Sequence, residues 1–305
     1  MSCDFWKDLV GTISSCHELV LSYVGYWGGG TSESSKIDGI QFDTEVAITL
    51  AATLSVGRSG LAGVNSSIRG YFGGGGLFTP RSEIDGIQFD TEVAINPAAT
   101  LVVARYYLAG VNSSTRGYFG GGRTGSWFSE IDGIQFDTEA AINPAATLTG
   151  GRAALTGVNS SIRGYFIGGH NSSFVTLSEI DGIQFDTEAA INPAAILTNG
   201  REQAAGVNSS TRGYLAGGSD NTGNSTNEIR GIQFDTESAI LAYSALTSER
   251  AMAAGVNSSI RGYFGGGDTT SEIDGIQFDT EAAINPAATL SVARGRLAGF
   301  QSGSL

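Results

Sequence analysis

The chain has 305 residues, 45 of them glycine and 5 proline, with 41% hydrophobic and 15% charged residues, which excludes a charge-rich disordered chain, a coiled coil and a collagen-like repeat. A formal net charge of −13, from 30 acidic against 17 basic residues, makes a surface that repels phosphate backbones and anionic headgroups, so no nucleic acid is expected as a partner. No apolar run reaches the ~18 to 20 residues of a membrane span, and residues 1–10 lack the basic start and apolar centre of a signal peptide, which predicts a soluble protein without membrane insertion.

Residues 1–20 stand outside any repeat. Phe5, Leu9, Ile13 and Cys16 share one face at helical spacing with Asp4 as a cap, which predicts a short amphipathic helix able to attach the chain to a neighbouring subunit. Cys3 and Cys16 both lie in this segment, so no disulfide is expected in the main fold.

From 21 to 305 the chain repeats itself. Gly-Ile-Gln-Phe-Asp-Thr-Glu begins at Gly39, Gly86, Gly133, Gly182, Gly231 and Gly275, 44 to 49 residues apart. An aromatic-glycine segment precedes each copy, and an Ala/Leu stretch followed by an Arg comes after it. One unit therefore predicts four short strands, at 61–65, 70–74, 84–90 and 99–104, bounded by Gly, Asn-Ser-Ser or Asn-Pro turn signals. Four strands in a unit of this length make one propeller blade, and the six copies predict an all-β, six-bladed β-propeller with four antiparallel strands per blade. Residues 296–300 repeat the first-strand pattern of 60–64 with no second strand after them. This predicts closure of the ring by the C-terminal strand pairing with the strand through Tyr26, which leaves no open edge.

The units resemble kelch-repeat propellers in the glycine run closing the second strand (73–75), the aromatic of the third (Phe89) and the Arg ending the fourth (Arg105). They depart where that family has a fourth-strand Trp, because the copies carry Ile48, Ile95, Ile142, Ile191, Ile240 and Ile284. Such near-identical arrays are also similar to repeat proteins among the structural components of tailed bacteriophages, including those of cyanobacteria. That resemblance implies a virion location in a tail, fibre or baseplate, with host attachment as the role and other virion proteins or a host-surface protein or glycan as partners. The kelch resemblance alone implies the alternative of a cellular protein-interaction module binding a peptide near the propeller axis.

No constellation for catalysis, cofactor or metal emerges from the sequence. There are two histidines, His17 and His170, and no repeated one, so zinc or copper ligation has too few candidates. P-loop, dinucleotide-binding and nucleophile-elbow motifs are absent. Asp85, Asp90 and Glu92 recur in nearly every copy, whereas a glycosidase acid pair belongs to one site. Turn chemistry at Asp90-Thr91 and Asn96-Pro97 accounts for them more simply, and Arg69, Arg116, Arg163, Arg212 and Arg261 are expected to pair with such acids. Asn-Ser-Ser reads as a tight hairpin turn using asparagine's tolerance of unusual backbone angles. Arg230 stands where the other copies have Asp, a reversal the sequence does not explain.

A face with a specific task should break the repeat. The turns between strands one and two and between three and four are nearly invariant. The loops between strands two and three (31–36, 76–82, 123–129, 170–178, 219–227 and 268–271) differ in length and chemistry. Phe78, Tyr106, Tyr107, Trp127, Phe128 and Phe174 all fall at that divergent end in blades 2 to 4, which predicts an aromatic arc that binds a protein or glycan. The expected function is that of a non-enzymatic structural or adhesive propeller.

Overall fold

A computed structural model describes residues 23–303, and the helix expected over 1–20 lies outside them. Six separate four-stranded antiparallel sheets are arranged in a ring. Blade 2 runs from the inside out as Ala62–Asn65, Arg69–Gly73, Ile84–Gln88 and Ala94–Ile95, and blades 3 to 6 repeat it. Blade 1 joins Val24–Gly28, Lys36–Gln41 and Ala47–Thr53 to the C-terminal Ala298–Gln301, with Tyr26 opposite Phe300. The predicted fold and its closure are therefore both present. Among the described residues no helix is long and apolar enough to cross a membrane.

The fourth strand differs from expectation. It was placed at 99–104, but the turn after Phe89 closes at once and Ala94–Ile95 pairs with Gly86 and Ile87. Pro97 then ends it, because proline offers no N–H to the ladder, and only Thr100 rejoins through a single bridge to Glu83. Blades 1 and 5 lack the Asn-Pro pair, and there the strand continues as Ala47–Thr53 and Ser238–Ala245, each across one register irregularity.

Consecutive strand residues face opposite sides of a sheet, yet Tyr71 and Phe72 are both fully buried. Each side is covered by a different neighbour. Tyr71 stacks on Phe136 of blade 3 with ring centroids 5.6 Å apart, and Phe72 packs with Phe300 of blade 1 at 4.4 Å. This sandwiching explains why the second and third strands are apolar on both faces.

The inner strands come together at the axis. Gly63, Gly110, Gly157, Gly206, Gly255 and Gly299 sit so close that a Cβ on any one of them would run into the carbonyl oxygen of the preceding one. At the divergent end, Gly60, Tyr107, Ala154, Gln203, Met252 and Arg296 all take left-handed backbone, with φ between 57° and 65°. That conformation closes a circle of hydrogen bonds of 2.7–2.8 Å. The Tyr107 N–H donates to the Gly60 carbonyl, Ala154 to Tyr107, and so on round to Gly60, which donates to Arg296. At the opposite mouth the Asn-Ser-Ser turns line a cavity. There the expectation fails in one respect, because these asparagines do not use left-handed backbone. Their amides reach sideways instead: Asn65 N–H donates to Asn112 Oδ1 and Asn257 N–H to Gln301 Oε1, both at 3.4 Å.

Gly110→Ala is expected to cost about 1–3 kcal/mol by overpacking the axis. Gly150→Ala, where a Cβ meets nothing within 4 Å, should be neutral; urea unfolding of both variants compares them.

Candidate functional site

The recurring carboxylates hold blade to blade. An Arg at the end of one blade meets the third-strand Asp of the next: Arg58 and Asp85 at 3.1 Å, Arg105 and Asp132 at 2.6 Å, Arg152 and Asp181 at 2.9 Å, Arg250 and Asp274 at 2.9 Å, Arg294 and Asp38 at 2.7 Å. All ten side chains are buried. Burial pushes the Asp38 carboxyl up, but the hydrogen bond and charge of Arg294, with the Ser291 hydroxyl and N–H, outweigh it and hold the group below its ordinary value. Arg230 now has an explanation. With no Asp there, Arg201 turns to Glu228 at 2.8 Å, and Arg230 shares that same carboxylate at 2.7 Å.

The Phe-Asp-Thr-Glu segment works on the preceding blade. Six Tyr–Phe pairs stack across the blade boundaries at 5.5–5.7 Å, with ring planes within 7° of parallel. The Glu of each segment, held in left-handed backbone at φ 52–55°, accepts the hydroxyl of that Tyr, as Glu139 does from Tyr71 at 3.0 Å. Arg69 donates to the same Glu139 at 3.2 Å, and Arg116, Arg163, Arg212 and Arg261 repeat the arrangement, so the expected pairing of these arginines with recurring acids is present. Asp90 lies in the exposed turn itself. Among the described residues, no group of three or more His, Cys, Asp or Glu side chains is placed to hold a metal ion.

The loops between the second and third strands and the blade-to-blade connections gather at the other end of the channel. Four of the six predicted aromatics meet there around one arginine. The Arg123 guanidinium lies 5.5 Å from the Tyr106 ring centroid, 5.8 Å from Tyr107, 5.2 Å from Trp127 and 5.3 Å from Phe174. Trp127 meets Phe174 edge-on at 5.3 Å. Phe128 is half-buried beneath this group, with the Arg105 guanidinium over its ring at 5.9 Å, so it belongs to the blade boundary as well as to the surface. Phe78, 82% exposed, stands apart without a ring partner among the described residues.

Three participants were not legible in the sequence. Arg123 looked like one more loop residue. Arg296, from the turn leading into the closing strand, brings a second guanidinium to 5.8 Å from the Tyr107 ring. His170 is buried, pairs through Nδ1 with Glu202 Oε2, and stacks on Phe174 at 5.4 Å. The one available signal was that Arg123 and His170 occupy the same place in successive blades, each bridging the segment that leads into the inner strand of its own blade.

Phe174 has a strained backbone, at φ 56°. Its loop is an Asx-type turn in which Asn171 Oδ1 accepts the N–H groups of Ser173 and Val175. Blade 5 builds the same turn on Asp220, and the position matching Phe174 is Gly223 at φ 80°. A bulky side chain in a conformation suited to glycine is unfavourable locally, and the ring it presents is 63% exposed. The chain matches no protein-family model and no curated protein.

Two outcomes follow from the blade contacts. Arg105→Ala leaves Asp132 buried without its partner and should cost about 3–5 kcal/mol, more than Arg201→Ala, whose Glu228 side chain is 44% exposed; thermal melts compare them. Burial, with the adjoining Glu, pushes the Tyr118, Tyr165 and Tyr263 hydroxyls up to about 12, whereas the unfolded chain ionises at ~10. The proton is therefore held more tightly in the folded state. The tyrosine contribution to stability should be level below pH ~10 and fall as pH rises toward 12, read as melting temperature alongside phenolate absorbance.

Proposed function

We propose that this chain is a non-enzymatic structural or adhesive propeller that meets a protein or glycan through the aromatic cluster at the divergent mouth. The observation that carries this reading is the break in six-fold symmetry at one end only. Five blade boundaries share the same Arg–Asp pair, and all six share the same Tyr–Phe stack. The loops above them differ, and one quadrant of that face holds an arginine ringed by four aromatics. The presence of Phe174 where a sister loop has Gly223 points the same way, because it sets a ring 63% exposed on a strained backbone. Of the recurring acids, Asp85 and Glu92 and their counterparts are engaged in blade-to-blade contacts.

The finer reading, a kelch-like propeller serving as a tail, fibre or baseplate component of a phage particle, is supported by the near-identity of the repeats. Density-gradient fractionation of the source material with mass spectrometry tests it. Co-migration with a large particle in fixed stoichiometry is expected; recovery only as a free 31.5 kDa chain would favour the cellular interaction module instead.

The binding face itself is tested by Phe174→Gly. Relief of backbone strain should leave the melting temperature unchanged or raised, while affinity for the particle or host surface falls about 30-fold, the equivalent of ~2 kcal/mol for an interfacial aromatic. Unchanged affinity would reject this face as the contact.

A further inference from the structure

Arg123 and Arg296 are the two arginines of the described residues with no carboxylate within ion-pair distance, in a chain of net charge −13. Both guanidinium groups lie over the same Tyr107 ring. Every other described arginine, including those on exposed loops, has an acidic partner. Glu202, from the neighbouring blade, is paired to His170. Two cations over one ring, neither with a carboxylate within ion-pair distance, favour the arrival of an anion.

The shape of the mouth narrows the ligand. The cavity lined by Tyr107, Gln203, Met252 and Arg296 is about 80 Å³, room for a small anionic group and a few waters. A larger body must rest on the rim. The rim offers the Trp127 ring, fixed by its contacts with Arg123 and Phe174. The inner circle of the mouth offers no main chain to pair with, because its six N–H and six carbonyl groups are already bonded to one another. A peptide recognised through its backbone has no partner there, whereas a saturated ring can lie with its C–H face on an aromatic and place a carboxylate against the arginines, whose planar donors match it.

We propose that this mouth binds a carboxylated sugar, with the carboxylate held by Arg123 and Arg296 and the ring resting on Trp127. The proposal rests on the reading of this face as the binding face and supplies its ligand class. Neither arginine has a side-chain hydrogen bond among the described residues, and the Arg296 position carries Gln203 in another blade at nearly the same backbone angle. Arg123→Gln and Arg296→Gln should therefore fold normally.

The test uses the full chain titrated with a glucuronate-terminated disaccharide, the neutral disaccharide of the same linkage and an N-acetylated dipeptide with a free carboxylate, followed by calorimetry and tryptophan fluorescence. The acidic sugar is expected to bind at least tenfold tighter than the neutral one, with the preference lost in either glutamine variant at unchanged melting temperature. Equal affinity for the two sugars, or an acid preference that survives in the double variant, would overturn the proposal. Equal binding of the dipeptide would overturn its assignment to a sugar. Phe174→Gly separates the two levels. If it abolishes particle or host binding while no acid preference exists, this inference fails alone; if it changes nothing, the reading beneath it fails too.

Discussion

Six strands have to converge on one axis with no side chain between them, and the rest of the molecule depends on that closure. Glycine at the midpoint of each inner strand is the only residue that lets the neighbouring carbonyl approach. Once the strands are that close, the left-handed turn before each of them joins its N–H to the previous blade, and the circle of hydrogen bonds closes without an end. A ring built this way is sensitive to any blade out of place, because each bond requires both neighbours. It also determines what the inner circle can present to a ligand: side chains, and no free backbone.

No blade is complete by itself. Its second strand buries a Tyr on one neighbour and a Phe on the other (Trp27 in blade 1 and Leu215 in blade 5), its terminal Arg neutralises an acid in the next sheet, and its Phe-Asp-Thr-Glu turn serves the blade before it. The energetic unit is thus the boundary between blades rather than the blade, as expected where each repeat has too little apolar surface to stand alone. The exceptions follow the same logic. Blade 1 has Val24 where the others carry an Arg, so Tyr26 meets Glu92 without that support. At the fourth-to-fifth boundary, Glu228 takes over for the missing Asp and anchors two arginines. Loss of the Asn-Pro pair in blades 1 and 5 lengthens the outer strand and leaves the inner scaffold unchanged.

Regularity below leaves the surface above free to vary. Because the boundaries are held by buried contacts repeated at each step, the loops at the divergent end carry little of the stability. They can accommodate a Phe in strained backbone and a pair of guanidinium groups on one tyrosine. The two arginines lie far apart in the sequence, one in a loop of blade 3 and one in the turn that leads into the strand closing blade 1. Only the ring places them together.

Repeat spacing, glycine placement and the unpaired last segment determined the six blades, their antiparallel strands and the route of closure, because these are local patterns that recur at fixed intervals. The same local pattern misplaced the fourth strand, since Asn-Pro marks a turn and a strand end equally well, and it assigned Asn-Ser-Ser a backbone role when the amides act across blades. The aromatic residues of the divergent face could be named from the sequence, but not their grouping. Tyr106, Tyr107, Trp127 and Phe174 meet on Arg123, Phe128 sinks toward Arg105, and Phe78 stands alone. The account of Arg230 and the meeting of Arg123 with Arg296 depend on which blade lies next to which and how far each loop reaches. Those are distances through space, which the tertiary structure decides because ring closure brings residues 173 positions apart in the chain onto a single tyrosine.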